Sequence, residues 1–592
     1  MRLQHFALLM HSALAMGAIA SSQVTPCAAW TVEENQARSA FASAVAAAGD
    51  VNGDGYGDVL VGAPFFEHGE VLEGRAVLYL GSSAGLAATP SWSVESNRRN
   101  AVLGNSVASA GDVNGDGFAD VIMGAGGFEN GEIGEGAAHV YHGSPIGLPL
   151  SPSWTVESNT ERAFFGQSVA SAGDVNGDGY DDVIISAYAF NDDQEREGRV
   201  FVYLGSATGL APTPAWFVDG NQTDSLFGNS VASAGDVNGD GFGDVIIGAP
   251  YISSPEVFEG RATLYLGSPS GLSPSHDWKG EGNHPSTLFG VSVASAGDVN
   301  GDGFGDVIVG AQAFEDAPQE GGEGGAFVYL GSPSGLGANP VWHTEGDQGN
   351  AALGNSVASA GDVNGDGYGD VIVGAFQFEQ HGMARQGRAL VFLGGAAGLA
   401  AEPAWKADSN QIEAWFGGAV SGAGDVNGDG YDEVIVGAPN FDGGETDEGR
   451  ASVYAGSAAG LARSFVHAGE GINADAVVAL DVVLGSTWNV PLHLGHGHGR
   501  QGTVLLNVRT SIANGANFSS PAGGRLTEFL ISGPLIATIG GTHSGFVGNI
   551  PPQSIPSNPA LLGLRWAAQY TVVGGGHTDL SQAVHGVVIS CP

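Results

Sequence analysis

Apolar runs of four to six residues, rich in Val, Ile, Phe and Tyr and closed by Gly, Pro or Asp, recur throughout residues 28–461. Val59-Leu60-Val61 and Ala76-Val77-Leu78-Tyr79 belong to such runs. Runs this short, with no helical period around them, predict β-strands. The polar positions between them repeat as well. Asp-Val-Asn-Gly-Asp-Gly occurs seven times, beginning at Asp50, Asp112, Asp174, Asp236, Asp298, Asp362 and Asp425, at intervals of 62 to 64 residues. Each copy lies in a longer unit with one order of parts. A Trp-centred run comes first (Trp30, Trp92, Trp154, Trp216, Trp278, Trp342, Trp405), then an aromatic or Leu followed by Gly, then Ser-Val-Ala-Ser-Ala-Gly and the acidic turn. An apolar run ending in Gly-Ala-Pro, a variable stretch and a last apolar run complete the unit.

Four strands per unit and seven units predict an all-β, seven-bladed β-propeller over residues 28–466. A linear solenoid is the alternative. Closure is favoured because the first unit opens with a Trp strand, Ala28 to Glu33, while the last ends after its third strand, Ala451 to Gly456. The N-terminal strand would then complete the final blade.

The pairs Phe165-Gly166, Phe227-Gly228 and Phe289-Gly290, an acidic loop, and Gly62-Ala63-Pro64 in the first copy resemble the FG-GAP repeats of the integrin α-subunit propeller. The resemblance spans Trp30 to Leu461. It implies an adhesion or interaction protein whose partner and ligand meet the propeller face opposite the acidic loops. Some copies depart from the motif: Phe41 is followed by Ala42, Leu103 and Leu353 replace Phe, and Gly124-Ala125-Gly126 and Ser186-Ala187-Tyr188 replace Gly-Ala-Pro. These changes put individual strand ends in question.

In the first acidic loop, Asp50, Asn52, Asp54 and Asp58 fall at positions 1, 3, 5 and 9, with the Tyr56 carbonyl at position 7. Odd spacing in a tight glycine-containing turn aims these oxygens at one centre, a donor set of hard ligands suited to Ca²⁺. The opening resembles an EF-hand loop, but position 12 is Val61 in place of a bidentate Glu, and a strand follows. Asp at position 9 supplies the closing carboxylate, as in FG-GAP loops. The same positions are Asp112, Asn114, Asp116, Phe118 and Asp120 in the second copy, and Asp174, Asn176, Asp178, Tyr180 and Asp182 in the third. They are Asp236, Asn238, Asp240, Phe242 and Asp244 in the fourth, and Asp298, Asn300, Asp302, Phe304 and Asp306 in the fifth. The sixth has Asp362, Asn364, Asp366, Tyr368 and Asp370. The seventh has Asp425, Asn427, Asp429, Tyr431 and then Glu433, whose longer side chain, beside Asp432, marks that site as the one to differ. About seven Ca²⁺ sites follow. The competing reading is a set of polar hairpin turns in which Asp and Asn bond their own backbone. Clustering three carboxylates without a cation is costly, which favours the metal.

Antiparallel blades place the acidic loops and the turns between strands 3 and 4 on one face. The segments after Gly-Ala-Pro and after the Trp strand fall on the other, and there the copies diverge most. That divergent face is the expected site for an extracellular protein or glycan ligand, with drift in exposed loops as the bland alternative. Phe66, Phe128, Phe190, Phe314, Phe378 and Phe441, with Ile252 in the remaining copy, are read as packing residues ahead of sugar-stacking ones.

Charge sharpens this picture. The 592 residues hold 63 Asp and Glu against 19 Lys and Arg, a formal net charge of −44, which disfavours nucleic acid and anionic membrane surfaces as partners. Arg2, His5, the apolar run Phe6 to Ala20 and Ala18-Ile19-Ala20 predict a signal peptide over residues 1–20, hence secretion. No later stretch reaches about 18 uninterrupted apolar residues, so no membrane insertion is expected. Cys27 and Cys591 are the only cysteines, too few for a disulfide framework, and their pairing stays open. Residues 470–592 change composition and predict a small β-sandwich-like domain, with His493, His496 and His498 as either a transition-metal loop or a solvated turn. No catalytic motif is present. The alternative function is a secreted hydrolase with chemistry in that domain or in the central channel.

Overall fold

The computed structural model of the chain describes residues 28–315 and 321–461, and beyond them only six short strands. Every regular element in these residues is a β-strand. The first blade is Ala44–Gly49, Asp58–Ala63, Arg75–Tyr79 and Trp92–Glu95, neighbours in that order. Five more antiparallel meanders follow, opening at Leu103, Phe165, Ser230, Phe289 and Leu353. The seventh blade takes Ala419–Gly424, Glu433–Ala438 and Arg450–Tyr454 from the end of the array and Trp30–Glu33 from its start. Trp30 pairs with Val453 and Glu33 with Arg450. The ring is closed by its first strand, as the sequence pattern predicts, and the solenoid is excluded.

The second strand of every blade is buried along its whole length. It is covered on both faces by neighbouring blades, so its sequence is continuously apolar where a half-exposed strand would alternate. The core is accordingly seven hydrophobic clusters, each shared by two adjacent blades. The Trp of each outer strand cements the same junctions. Its ring meets an aromatic of the following blade edge-on, as in Trp92–Tyr141 at 5.0 Å and Trp405–Tyr454 at 4.7 Å. Such pairs contribute about 0.5–1.5 kcal/mol beyond burial. The Trp92 indole N–H also donates to the Pro149 carbonyl of the next blade at 2.8 Å, and five other Trp residues make the equivalent bond.

The two glycines of the repeat motif explain each other. A Cβ on Gly62 would lie 2.0 Å from the carbonyl oxygen of Gly104 in the next blade, and one on Gly124 would lie 1.8 Å from that of Gly166. Backbones this close leave no room for side chains. At two junctions one partner carries a side chain, Ser186 against Gly228 and Ala42 against Gly437; the first strand of the following blade starts late there, at Ser230 and Ala44, as it also does at Ala419 beside the intact Gly374–Gly417 pair. Leu103 and Leu353, by contrast, open full nine-residue strands, so Leu for Phe changes nothing.

The C-terminal segment contributes three antiparallel pairs: Val490–His493 with Arg565–Ala568, Gly502–Val504 with Gln553–Ile555, and Phe529–Leu530 with Ile536–Ala537. The expected sandwich, His496, His498, the signal peptide, Cys27 and Cys591 lie outside the described residues.

Candidate metal centre

Each acidic loop joins the first strand of a blade to the second. Asp50 Oδ1 accepts the N–H groups of Gly53 and Asp54 (2.7 and 3.1 Å), and its Oδ2 accepts that of Gly55 (2.7 Å). Asn52 Oδ1 accepts from the Asp54 N–H at 3.0 Å, and Asp54 Oδ1 from the Tyr56 N–H at 3.1 Å. The inward turn of these N–H groups needs left-handed backbone, and Gly53 and Gly55 supply it with φ of 71° and 89°. Asp58 is fully buried; its Oδ2 accepts from the Val51 N–H and its Oδ1 from the Gly81 N–H, at 3.0 and 2.8 Å. The position-1 pattern recurs at Asp112, Asp174, Asp236, Asp298, Asp362 and Asp425. The structure thus gathers positions 1, 3, 5 and 9 of each copy into one loop and, Asn427 of the seventh copy excepted, points their oxygens at backbone N–H groups. Among the described residues, no three His, Cys, Asp or Glu side chains converge as a ready metal cage.

The donor set nevertheless fits a hard cation. Each carboxylate oxygen has two lone pairs, so Asp58 keeps acceptor capacity on both after its N–H bonds. Burial raises its pKa to about 6; the two N–H bonds oppose the rise, and the like charges of Asp54 and Asp50 add to it. The same causes bring Asp306 to about 6 and Asp120, Asp182, Asp244 and Asp370 to about 7. A cation at the loop would relieve both desolvation and repulsion with oxygen ligands alone. The seventh loop is built differently. Glu433, raised by burial to about 7, accepts from the Val426 N–H and draws the Asn427 side-chain amide onto its Oε1 at 2.9 Å. In the first loop the corresponding amide of Asn52 donates to Asp54.

The seven loops form a continuous belt. The position-8 N–H of each (Gly57, Ala119, Asp181, Gly243, Gly305, Gly369 and Asp432) donates to the position-1 carbonyl of the preceding blade, at 2.8–3.2 Å. The position-7 ring lies over the glycine at position 4 of that preceding loop: a Cβ on Gly53 would sit 2.6 Å from the Phe118 ring. The recurrent Tyr or Phe was legible as a repeat, but only its carbonyl entered the ligand count.

On the opposite face, Phe66, Phe128, Ile252 and Phe441 are buried, in line with a packing role. The guanidinium groups of Arg388 and Arg450 lie 3.6 and 3.5 Å from the Phe378 and Phe441 ring centres. A residue group missed in the sequence sits beneath them. Glu73, Glu135, Glu197, Glu259 and Glu448, each followed by Gly, are buried and accept N–H groups of their own divergent loops. Glu448 Oε1, for example, takes the N–H groups of Gly443 and Gly444, each at 2.6 Å. Their constant distance before the third strand of the blade was the available signal. Above this anchored base the loop tips expose Phe65, Val71, Ile133, Val257, Phe258 and Ile412.

The FG-GAP repeat model matches residues 41–72, 103–141, 165–203, 227–265, 289–329, 353–392 and 416–454. Integrin alpha-5 of Xenopus laevis is 32% identical over 240 residues, 39% of this chain and 21% of that protein. Integrin alpha-4 of the same organism is 34% identical over 188 residues, covering 31% and 17%. Human integrin alpha-7 is 37% identical over 181 residues, covering 30% and 14%. The chain therefore matches about a fifth or less of the length of these relatives.

Proposed function

Because residues 28–461 are a propeller of seven FG-GAP repeats of the integrin α kind, we propose that the chain is a secreted adhesion or interaction protein, stiffened by calcium in its acidic loops. The observation that carries this reading is the contrast between its faces. One face repeats a single loop, with Ile146 and Leu150 exposed beside it in one turn between strands 3 and 4, while the other varies its loops and exposes Phe65, Ile133, Val257, Phe258 and Ile412. Loops held by a rigid scaffold are where recognition resides, and apolar tips among polar neighbours fit a protein or glycan surface. The net charge of −44 argues against nucleic acid as that partner. Among the described residues no helix is long and apolar enough to cross a membrane.

Calcium would supply the positive charge that each loop lacks. Asp50, Asn52, Asp54, the Tyr56 carbonyl and Asp58 would hold it in the first blade, with their counterparts in the other six. The chain's own contribution is placement: the glycines turn the loop, and the buried position-9 acid ties the second strand to the turn between strands 3 and 4. The test is binding of the full chain to arrayed extracellular proteins and glycans, with calcium and with chelator, alongside its recovery from the culture medium. Expected is a ligand whose binding is lost when the divergent loops are exchanged between blades. A ligand indifferent to that exchange would sink the assignment of the face.

A further inference from the structure

Position 8 of the acidic loop separates the seven copies. Five have Gly or Ala there (Gly57, Ala119, Gly243, Gly305, Gly369), and two have Asp181 and Asp432. Both aspartates reach backwards across a blade junction. Asp181 Oδ2 accepts the N–H of Asp112, the position-1 residue of the preceding loop, at 2.8 Å, and Asp432 Oδ2 accepts that of Asp362 at 2.8 Å. Each carboxylate lies against the glycine before that residue: a Cβ on Gly111 would sit 2.2 Å from Asp181 Oδ2, and one on Gly361 2.2 Å from Asp432 Oδ2. Both side chains are half-buried. Asp432 lies within electrostatic reach of Asp362 in the preceding loop and Asp425 in its own.

A carboxylate in this place adds a further negative charge to a loop that already holds three. A divalent cation in the preceding loop would be attracted by that additional charge. We propose that Asp181 and Asp432 serve the cation sites of the preceding blades as charges supplied from the next blade, making the loops at Asp112 and Asp362 the two tightest of the seven. This rests on the calcium reading above and adds a ranking that the loop motif alone does not contain. Asp181 and Asp432 act here as positioning charges; the ligands remain those of the preceding loops.

Calcium titration of the full chain, followed by calorimetry and by native mass spectrometry, tests this. The wild type fills two sites in a tighter class before the other five. Asp181→Asn and Asp432→Asn keep a side-chain oxygen for the N–H but remove the charge, and each moves one site out of that class. The expected weakening is about tenfold per site, the order for a unit charge several ångström from a divalent ion near the surface. Ala119→Asp installs the same bridge in front of the Asp50 loop and adds a third tight site. In chelator, the melting temperature of the two Asn variants stays level or rises, because a repulsive charge has gone; a fall there would mark a merely structural hydrogen bond and overturn the charge role. A single class of sites in the wild type, or an unchanged isotherm in the double variant, overturns the ranking and leaves calcium binding intact. No calcium uptake at all removes both.

Discussion

The two faces of the propeller are built from the same strands, yet they are held in different ways. On the acidic face, the side chains of each loop are bound inward to its own backbone, and position 8 and the position-7 ring bind it to the loop behind. On the divergent face, a buried glutamate such as Glu259 anchors the base of the loop from below, its Oε1 2.7 Å from the Ser254 N–H, and loop carbonyls such as those of Ile133 and Val257 accept N–H groups of the following connection, from Arg162 and Ser286, at 2.7 and 2.8 Å. A loop that serves its neighbours must keep its composition. A loop joined to its neighbour mainly through backbone groups is free to change its side chains above the anchor. The difference explains why seven copies of one turn coexist with seven dissimilar loops in a single repeat.

The largest effect that would sharpen this contrast is removal of the cation from the acidic face. At calcium a hundredfold above Kd, each filled loop contributes about 2.7 kcal/mol. Chelator is therefore expected to lower the melting temperature of the full chain by many degrees, with recovery on adding calcium; an unchanged melting curve would break the metal reading. Next is the loss of one buried acid. Asp182→Ala strands the Val175 and Gly205 N–H groups that it accepts at 3.0 and 2.8 Å. Buried donors left unpaired predict a loss of about 2 kcal/mol or more in denaturant unfolding.

A smaller effect is set by pH. Asp120, Asp182, Asp244 and Asp370 lie at about 7 in the folded chain, against an ordinary value of 3.8. Folding raises them, so their contribution in chelator is full below the ordinary value and is lost as pH rises through about 7. Calcium competes with those protons, and its stabilising increment should shrink as pH falls from 7 towards 5. Melting curves across that range, with calcium and with chelator, check both slopes; parallel curves would refute the competition. The smallest effect on stability belongs to the divergent face. Phe65→Ser, Ile133→Ser and Ile412→Ser at exposed tips should each stay within about 0.5 kcal/mol. The same substitutions should abolish ligand binding, which separates a recognition surface from drift.

Much of this was legible in the chain. The spacing of the seven acidic turns specified the number of blades, the short apolar runs specified strands, and the unmatched Trp strand at the start specified how the ring closes. Each is a local pattern repeated until chance is excluded. The candidate ligands were legible for the same reason, as residue types at fixed intervals. Contacts across blade junctions were not. That Gly62 faces Gly104, that the Phe118 ring covers Gly53, and that Asp181 bonds the Asp112 N–H are relations between residues of successive blades, far apart in the chain. The sequence by itself determined what each blade is, because a strand and its turn are written in neighbouring residues. Only the tertiary structure decided how one blade's loop serves the next, because those distances exist only once the ring has closed.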